Sequence, residues 1–263
     1  MDSASEATWP DPTARFSERA QAYACGRPGY PSQIATTLAR ELELRPGAAI
    51  VDLGSGTGIS SRIFLRAGFQ VIGVEPNAPM RGEAERALAG IAAFVSVAGS
   101  AQATTLADAS ADCVVAAQAF HWFDLGATRV EALRILRKPP RAALIWNVHR
   151  TQESEFSRGY ERLLLEFGGD YPRIRERHTD EGSIGAFFGG PHWRLAQFQH
   201  AVELNFDLLS ARVNSTSYLP GARDAAHAPM MKALHDLFDT TQRGGQVVMH
   251  YDTRVYFGVL RIP

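Results

Sequence analysis

The sequence predicts an α/β protein built around a doubly wound, mostly parallel sheet. Short apolar runs without polar alternation recur between residues 48 and 146, as is typical of strands buried on both faces of a sheet. Segments with apolar residues at helical spacing separate these runs. The first run leads directly into a glycine-rich turn and a further helix, which is the start of a βαβ unit.

The first half of the chain supplies most of the predicted elements. In residues 31–44, Ile34, Leu38 and Leu42 recur at intervals of four, and Arg45-Pro46-Gly47 then ends the helix. The predicted strands are residues 48–53, 70–74, 92–97, 112–117 and 141–146. The predicted helices between and before them are residues 31–44, 59–67, 79–88 and 125–137.

The second half of the chain changes in character. Residues 151–190 contain charged helices and loops rich in glycine and aromatic residues, which predicts a cap over one end of the sheet. Residues 195–206 and 247–260 alternate apolar and polar positions, as in antiparallel strands that complete a sheet edge, and residues 208–218 and 229–243 are predicted helices. We interpret residues 1–263 as one domain, made of the following segments: an N-terminal lid (1–31), a core (32–150), a cap insertion (151–194) and sheet-completing elements (195–263).

Composition excludes several classes of protein. The 263 residues are 45% hydrophobic, carry a formal net charge of −1 and contain no long Lys/Arg run, so a nucleic-acid partner is not expected. Cys25 and Cys113 lack the spacing of a zinc site, and we predict no bound metal. The N-terminal residues do not have the order of a signal peptide, and no apolar run reaches about 20 residues. We therefore expect a cytoplasmic protein that acts on a small molecule and does not enter a membrane.

The most informative motif is the turn Asp52-Leu53-Gly54-Ser55-Gly56-Thr57-Gly58. It lies where a buried strand passes into a helix, and its glycines allow backbone angles and a close ligand approach that a Cβ atom would block. A dinucleotide-binding turn has the spacing Gly-x-Gly-x-x-Gly, with the pyrophosphate at the helix N-terminus. Here the third glycine comes one residue early, so the spacing disfavours pyrophosphate.

A carboxylate at the end of the second strand adds specificity to the glycine turn. Glu75 follows residues 70–74, roughly 20 residues after the turn, where such folds place an acid against ribose hydroxyls. Alone, Glu75 would be interpreted as a surface acid and the turn as a tight loop. Together, on adjacent strand ends, they predict a site for a ribose-containing ligand.

With these motifs the sequence resembles the class I S-adenosylmethionine-dependent methyltransferases, and more narrowly the bacterial small-molecule group that includes trans-aconitate methyltransferase-like enzymes. The resemblance also rests on Val74-Glu75-Pro76-Asn77, Gly99-Ser100-Ala101-Gln102 and the run Ala117-Gln118-Ala119-Phe120-His121-Trp122-Phe123-Asp124. It spans nearly the whole chain and is strongest between residues 23 and 147. It implies a Rossmann-like fold with a seven-stranded sheet whose last strand is antiparallel. One departure is Lys138-Pro139-Pro140-Arg141, where the family usually has a Pro-Gly-Gly-like turn.

The resemblance also implies how S-adenosylmethionine, with S-adenosylhomocysteine as its product, would be held. Asp52 and the glycine turn would hold the methionine portion, and Glu75 would take the ribose. Gln118 and Phe120 would line the side of the sulfonium. The full set of implied cofactor contacts is Tyr23, Arg27, Asp52, Gly54, Ser55, Gly56, Gly58, Glu75, Pro76, Met80, Ser100, Ala101, Gln118 and Phe120.

Several residues are candidates for contact with the methyl acceptor. His121 is the candidate general base, because histidine titrates near neutrality and this one follows the fourth strand; it could instead only shape the pocket. Tyr23 and Arg27 could clamp the cofactor carboxylate or an anionic substrate. The candidate acceptor contacts are Trp122, Trp146, Asn147, His149 and Tyr218.

Three activities remain open at this level. The first is transfer of a methyl group, by in-line displacement, to nitrogen or oxygen of an aromatic or heterocyclic metabolite, as in secondary metabolism. The second is methylation of a carboxylate, as the trans-aconitate resemblance suggests, and the third is binding of S-adenosylmethionine without turnover. A nicotinamide oxidoreductase is opposed by the glycine spacing. The protein is expected to be a monomer or a homodimer.

Overall fold

The parallel half of the sheet is formed by the apolar runs of the first half of the chain. The computed structural model describes residues 20–177 and 180–262. Residues 1–19 of the predicted lid lie outside the described residues. The strands are β1 (Ala49–Leu53), β2 (Gln70–Val74), β3 (Phe94–Val97), β4 (Ala111–Ala117), β5 (Leu136–His149), β6 (Arg194–Leu204) and β7 (Val247–Val259).

Within the described residues these strands form one seven-stranded sheet in the order β3-β2-β1-β4-β5-β7-β6. The first five strands pair in parallel, whereas β7 pairs antiparallel with both β5 and β6. The last strand in sequence is therefore the antiparallel one. This confirms the predicted fold class, including the two strands of alternating pattern, β6 and β7, that complete one side of the sheet.

Ten helices of the described residues connect the strands and pack around the sheet. They are α1 (Ala20–Gly26), α2 (Gln33–Glu41), α3 (Ile59–Arg66), α4 (Ala78–Ala87), α5 (Leu125–Ile135), α6 (Glu155–Phe167), α7 (Tyr171–Arg177), α8 (Glu181–Phe188), α9 (Phe206–Asn214) and α10 (His227–Thr241). A short 3-10 turn, Phe120–Trp122, follows β4. Among the described helices, none is both long and apolar enough to cross a membrane.

Adjacent strand residues belong to different hydrophobic clusters. Ile50 and Val51 lie in clusters on opposite faces of the sheet, as do Cys113 and Val114, and all four are buried. Successive strand side chains point to opposite faces, so burial of both faces requires an apolar residue at every position. This is why the parallel strands are continuous apolar runs in the sequence.

A third cluster joins α6, α9 and α10 to the start of β7. Its members include Tyr160, Leu209, Leu234 and Met249. These helices extend the molecule past the carboxyl end of β5 and carry several side chains of the site described below.

The start of β5 differs from the prediction. The strand begins at Leu136, directly after α5, rather than at residue 141. Residues 138–141, predicted to form an altered turn, are instead part of this strand, with a cis peptide bond between Lys138 and Pro139. Pairing with β4 shifts register between Ala111 and Cys113, which accommodates the extra residues as a bulge.

Candidate cofactor and acceptor site

The glycine turn between β1 and α3 takes a left-handed backbone at alternate residues. The φ angles are 66° at Gly54, 56° at Gly56 and 79° at Gly58, a region that L residues with a side chain rarely adopt. The amides of Gly54 and Ser55 both donate to the carbonyl oxygen of Val74, at 2.9 and 3.2 Å. The turn is therefore fixed against the end of β2.

Asp52, at the end of β1, is fully buried beneath this turn. Its Oδ2 accepts hydrogen bonds from the hydroxyls of Ser60 and Ser61, both at 2.7 Å, which joins β1 to the first turns of α3. Its Oδ1 is buried with no hydrogen-bond partner among the described residues. Burial raises the pKa of Asp52 to about 6, although both serine bonds oppose this shift. Asp52 does not line either pocket described below, so its proposed contact with the methionine portion depends on Oδ1 alone.

Replacing Asp52 by Asn is expected to change how the free energy of unfolding depends on pH. The folded pKa of about 6 lies above the ordinary value of 3.8, so the folded protein binds the proton more tightly than the unfolded chain. The parent protein therefore loses stability as pH rises from about 4 to about 6. The Asn variant lacks this loss and should gain about 2–3 kcal/mol relative to the parent over that range. Urea unfolding from pH 4 to 7 measures the difference, and a pH-independent difference would contradict the assignment.

Glu75 follows β2 and faces the glycine turn. It is only 8% exposed. Its Oε2 accepts a hydrogen bond from the amide of Gly56 at 3.0 Å, and its Oε1 accepts one from the amide of Asn77 at 2.8 Å. Burial raises the pKa of Glu75, whereas these two bonds and Arg81 lower it. The carboxylate is thus held in one orientation, and each oxygen retains a lone pair for a ligand hydroxyl.

The first pocket, which we call the β2-side pocket, has a volume of about 350 Å³ and lies between Glu75 and the run after β4. Asn77 caps α4 by accepting a hydrogen bond from the amide of Met80 at 3.0 Å, which fixes the Met80 side of this wall. The predicted cofactor residues that line this pocket are Tyr23, Gly54, Gly56, Glu75, Pro76, Met80, Ser100, Ala101 and Gln118.

The second pocket, the β5-side pocket, has a volume of about 360 Å³ and lies over the carboxyl ends of β4 and β5. The predicted residues that line it include Tyr23, Arg27, Gly54, Ser55, Gly56, Gln118, His121, Trp122, Asn147, His149 and Tyr218. The two pockets adjoin and share part of their walls. Among the described residues, those that line both pockets are Tyr23, Gly54, Gly56, Ala117, Gln118 and Trp122.

Gln118 occupies this boundary with an unusual backbone. Its φ is 55°, which is uncommon for a residue other than glycine and is often found at functional positions. Its amide donates to the carbonyl oxygen of Ile145 at 2.9 Å, and its side-chain Nε2 donates to that of Asn147 at 3.2 Å. Its Oε1 is buried without a hydrogen-bond partner among the described residues and is available to a ligand.

The structure places two of the predicted contact residues, Phe120 and Trp146, in the hydrophobic core. Phe120 packs edge-on against Trp146, with ring centroids 6.0 Å apart, and against Phe187 of α8 at 5.1 Å. Trp146 is fully buried and also packs against Tyr256. Neither lines a pocket. Since neighbouring strand residues face opposite sides, Trp146 points to the face covered by α8, whereas Asn147 reaches the β5-side pocket.

Asn147 has less freedom to bind a ligand than predicted. Its Nδ2 donates to the carbonyl oxygen of Gly29 at 3.2 Å, and its Oδ1 accepts from the hydroxyl of Thr253 at 2.6 Å. Its side-chain amide therefore attaches the segment after α1 to the sheet.

Gly58, a predicted cofactor contact, lines neither of the two pockets and acts as the N-cap of α3.

His149 is a buried titratable group of the β5-side pocket whose pKa is strongly lowered. Both of its ring nitrogens are buried with no hydrogen-bond partner among the described residues. The ring lies between those of Tyr160 and Tyr251, with centroids 5.4 and 5.6 Å away. Burial, followed by the charge of Arg212, lowers the pKa of His149 to about 4. Its imidazole is therefore neutral at pH 7, and one nitrogen can accept a proton or a hydrogen bond.

Replacing His149 by Gln should make the protein less sensitive to mild acid. The folded pKa of about 4 lies below the ordinary value of 6.5, so the unfolded chain takes up the proton first. The parent therefore loses stability as pH falls from about 6.5 to about 4. The variant should gain about 2 kcal/mol relative to the parent over this range, after a discount for partial solvent access. His235→Gln, at an exposed position on α10, is the matched control; equal pH profiles for parent and His149→Gln would refute the assignment.

The predicted base His121 also lines the β5-side pocket, beside Trp122 at 4.9 Å between ring centroids. The pocket therefore has two candidate bases, His121 and His149, at its β4 and β5 sides.

Arg27 lies against Tyr23 at the same pocket. Its guanidinium stacks 4.9 Å from the centroid of the Tyr23 ring and donates a hydrogen bond to the carbonyl oxygen of Ser215 at 3.2 Å.

Sequence reasoning missed several residues of the β5-side pocket. These are Tyr30, Tyr160, Tyr171, Arg212, Met249, Tyr251 and Arg254. Tyr30 stands in the recognised segment Arg27-Pro28-Gly29-Tyr30-Pro31, which could have identified it. Burial raises the pKa of Tyr30 and of Tyr251, so both keep their protons at neutral pH. Among the described residues, no cluster of three or more His, Cys, Asp or Glu side chains could hold a metal.

Comparisons with known proteins agree with this geometry. Residues 51–142 match the family model described as a methyltransferase domain. An uncharacterised methyltransferase of Mycobacterium tuberculosis is 34% identical over 172 residues, which cover 64% of this chain and 65% of that protein. The match thus spans about two thirds of that relative's length. A methyltransferase-like protein of Schizosaccharomyces pombe is 26% identical over 238 residues, covering 89% of this chain and 91% of its own.

Solved structures show the same fold at low sequence identity. A candidate type II methyltransferase from Anaeromyxobacter dehalogenans superposes with a TM-score of 0.65 at 20% identity, covering 89% of this chain and 98% of that one. A candidate methyltransferase from an antibiotic biosynthesis pathway of Anabaena variabilis has a TM-score of 0.61 at 18% identity, covering 90% and 100%. Residues 51–142, which include the glycine turn and Glu75, therefore match a methyltransferase domain, and the solved structures show that the chain has the fold of methyltransferases.

Proposed function

We propose that this protein transfers the methyl group of S-adenosylmethionine to a small-molecule acceptor bound in the β5-side pocket. The observation that carries the proposal is the pair of adjoining pockets, which share the glycine turn and Gln118. One pocket contains a fixed carboxylate suited to a ribose, and the other contains the neutral imidazole of His149 and aromatic rings suited to an acceptor.

The residues present fit the cofactor at both ends. In the β2-side pocket, Glu75 has lone pairs for ribose hydroxyls, while Met80 and Ala101 offer apolar contact to an adenine ring. At the glycine turn, the absence of Cβ atoms leaves room for the methionine portion. Gln118 lines both pockets, and its Oε1, which has no hydrogen-bond partner among the described residues, can accept a hydrogen bond from an ammonium group.

Bound S-adenosylmethionine would supply an electrophilic methyl group: the acceptor atom would bond to the methyl carbon in line as the carbon–sulfur bond breaks, and S-adenosylhomocysteine would leave. The protein orients the acceptor and excludes water, since methyl transfer requires no covalent intermediate on the enzyme. Either His121 or His149 can hold the proton that leaves a hydroxyl or ring nitrogen. The low pKa of His149 favours it as an acceptor of hydrogen bonds at neutral pH.

The aromatic walls support a flat acceptor, as in transfer to nitrogen or oxygen of an aromatic or heterocyclic metabolite. The rings of Tyr171 and Tyr218 lie 5.4 Å apart in this wall, and Trp122 also lines the pocket. Methylation of a carboxylate, of the trans-aconitate type, is the second candidate, because arginines also line the pocket. Binding without turnover would require no acceptor at all.

Binding and turnover test the proposal together. Calorimetric titration with S-adenosylmethionine, S-adenosylhomocysteine and NAD should show binding of the two adenosyl ligands and none of NAD. An acceptor screen that follows formation of S-adenosylhomocysteine should then identify substrates. Binding of NAD alone would overturn the proposal, and adenosyl-ligand binding with no product from any acceptor would favour the non-catalytic alternative.

A further inference from the structure

A buried arginine lines the β5-side pocket and has no acidic partner among the described residues. Arg212 of α9 is only 4% exposed and lines this pocket. Its Nε donates to the carbonyl oxygen of Gly26 at 2.8 Å, and one terminal nitrogen contacts Met249 and the Tyr251 hydroxyl. These partners are all neutral. Burying a charged side chain costs free energy unless an opposite charge lies beside it, so an anion bound next to Arg212 would stabilise this arrangement.

The wall of the β5-side pocket contains an excess of positively charged side chains. Among its described residues none is Asp or Glu, whereas four are arginines: Arg27, Arg175, Arg212 and Arg254. Arg175 pairs with Glu161 at 2.5 Å. The described residues provide no carboxylate partner for the other three arginines. The Nε atoms of Arg27 and Arg254 are also buried without a hydrogen-bond partner there.

The other polar groups of the pocket do not neutralise this charge. His149 is neutral at pH 7, and burial raises the pKa of Tyr218 to about 12 and that of Tyr160 above its ordinary value. These tyrosines therefore keep their protons and can donate hydrogen bonds. A guanidinium among hydroxyl donors matches the two oxygens of a carboxylate.

We place the cofactor's own carboxylate at Arg27 rather than at Arg212. Arg27 stacks on Tyr23, which lines both pockets, so Arg27 is the arginine on the side of the glycine turn. Arg212 instead contacts Met249 and Tyr251 at the start of β7. In the strand order β1-β4-β5-β7, three strand spacings, about 14 Å, separate β7 from the turn after β1.

We propose that Arg212 is the centre of an anion subsite that anchors a carboxylate of the methyl acceptor, so that the substrate class is small organic acids with a flat body. This inference rests on the proposed function, because it assigns the acceptor of that reaction. The carboxylate bound at Arg212 supplies the counter-charge that the described residues do not provide there, and the aromatic wall of the pocket holds the remainder of the molecule.

A pair of isosteric probes tests this subsite. The full-length protein, with and without saturating S-adenosylhomocysteine, is titrated with 4-fluorobenzoate and with its neutral analogue 4-fluorobenzamide, and binding is followed by fluorine NMR. We expect the protein loaded with S-adenosylhomocysteine to bind the acid at least about 10-fold more tightly than the amide. Equal affinities for acid and amide, or loss of acid binding when S-adenosylhomocysteine is added, would overturn the proposal; the second result would assign Arg212 to the cofactor carboxylate.

Variants assign the preference to Arg212. Arg212→Gln should abolish the preference for the acid, and Arg212→Lys, which keeps the charge without the fork, should retain part of it. Arg150→Gln removes an arginine that does not line the pocket and should preserve the preference. Since Arg212→Gln also loses the bond to Gly26 and could fail to fold, the comparison of acid and amide in the parent protein stands independently. If S-adenosylhomocysteine does not bind at all, the proposed function fails, whereas the acid preference of the ligand-free protein still tests the subsite.

Discussion

Replacing Glu75 by Gln is expected to weaken the binding of S-adenosylhomocysteine by about 100-fold. The carboxylate already accepts hydrogen bonds from the amides of Gly56 and Asn77, and its remaining lone pairs face the β2-side pocket. A glutamine has one acceptor oxygen, so its NH₂ group must face either a backbone N–H or a ribose hydroxyl's oxygen. Hydrogen bonds to a charged group contribute about 1.5–3 kcal/mol each, and 100-fold corresponds to about 2.7 kcal/mol.

Calorimetry at pH 7.5 measures this loss, with Glu203→Gln as the control. Glu203 is exposed on the edge strand β6, and the same chemical change there should leave the affinity unchanged. A melting curve of Glu75→Gln separates lost ligand contact from a disordered glycine turn. Wild-type affinity in Glu75→Gln would refute the assignment of the β2-side pocket to the adenosine portion.

The position of Glu75 could be predicted because it follows from regular structure. A buried strand reveals itself by an uninterrupted apolar run, and the residue after such a strand lies at the carboxyl edge of a parallel sheet. The glycine turn follows β1 and Glu75 follows β2, and these strands pair in parallel from Ala49 with Gln70 to Leu53 with Val74. Knowing the two strand ends was therefore sufficient to place the turn beside the carboxylate.

The aromatic residues after β4 could not be sorted in the same way. Phe120 and Trp122 belong to a short 3-10 turn and Phe123 follows it directly, so neither helical nor strand periodicity indicates the direction of these side chains. In the structure Phe120 packs into the core against α8, whereas Trp122 and Phe123 line the β2-side pocket. This choice depends on Phe187, which is distant in sequence.

The sequence could not predict the proposed anion subsite for a related reason: the burial of Arg212 depends on residues distant in sequence. Arg212 lies in a nine-residue helix of ordinary composition, in which an arginine is expected to be solvated. Its burial results from contacts with Gly26, 186 residues away, and with Tyr251, 39 residues away. Local sequence patterns carry no information on contacts at such separations.

Replacing Gly54 by Ala is expected to abolish adenosyl-ligand binding and to destabilise the fold. An added Cβ would lie 2.7 Å from the Cβ of Ala119 and 3.3 Å from the ring of Phe123, in a backbone with φ of 66°. Left-handed strain costs an alanine about 1 kcal/mol, and forced overpacking adds about 1–3 kcal/mol. Since Gly54 lines both pockets, relief of the clash must move the wall against which the cofactor would lie.

Gly47→Ala separates the two causes in this prediction. Gly47 has a similar φ of 74°, but an added Cβ there would have no atom within 4 Å. This control should therefore show the strain of about 1 kcal/mol without the clash, and it should bind S-adenosylhomocysteine normally. Urea unfolding and calorimetry on both variants measure the effects. If Gly54→Ala were no less stable than Gly47→Ala and bound the ligand equally well, the turn would tolerate a side chain, and close approach of the cofactor to bare backbone at Gly54 would no longer explain why glycine occupies that position.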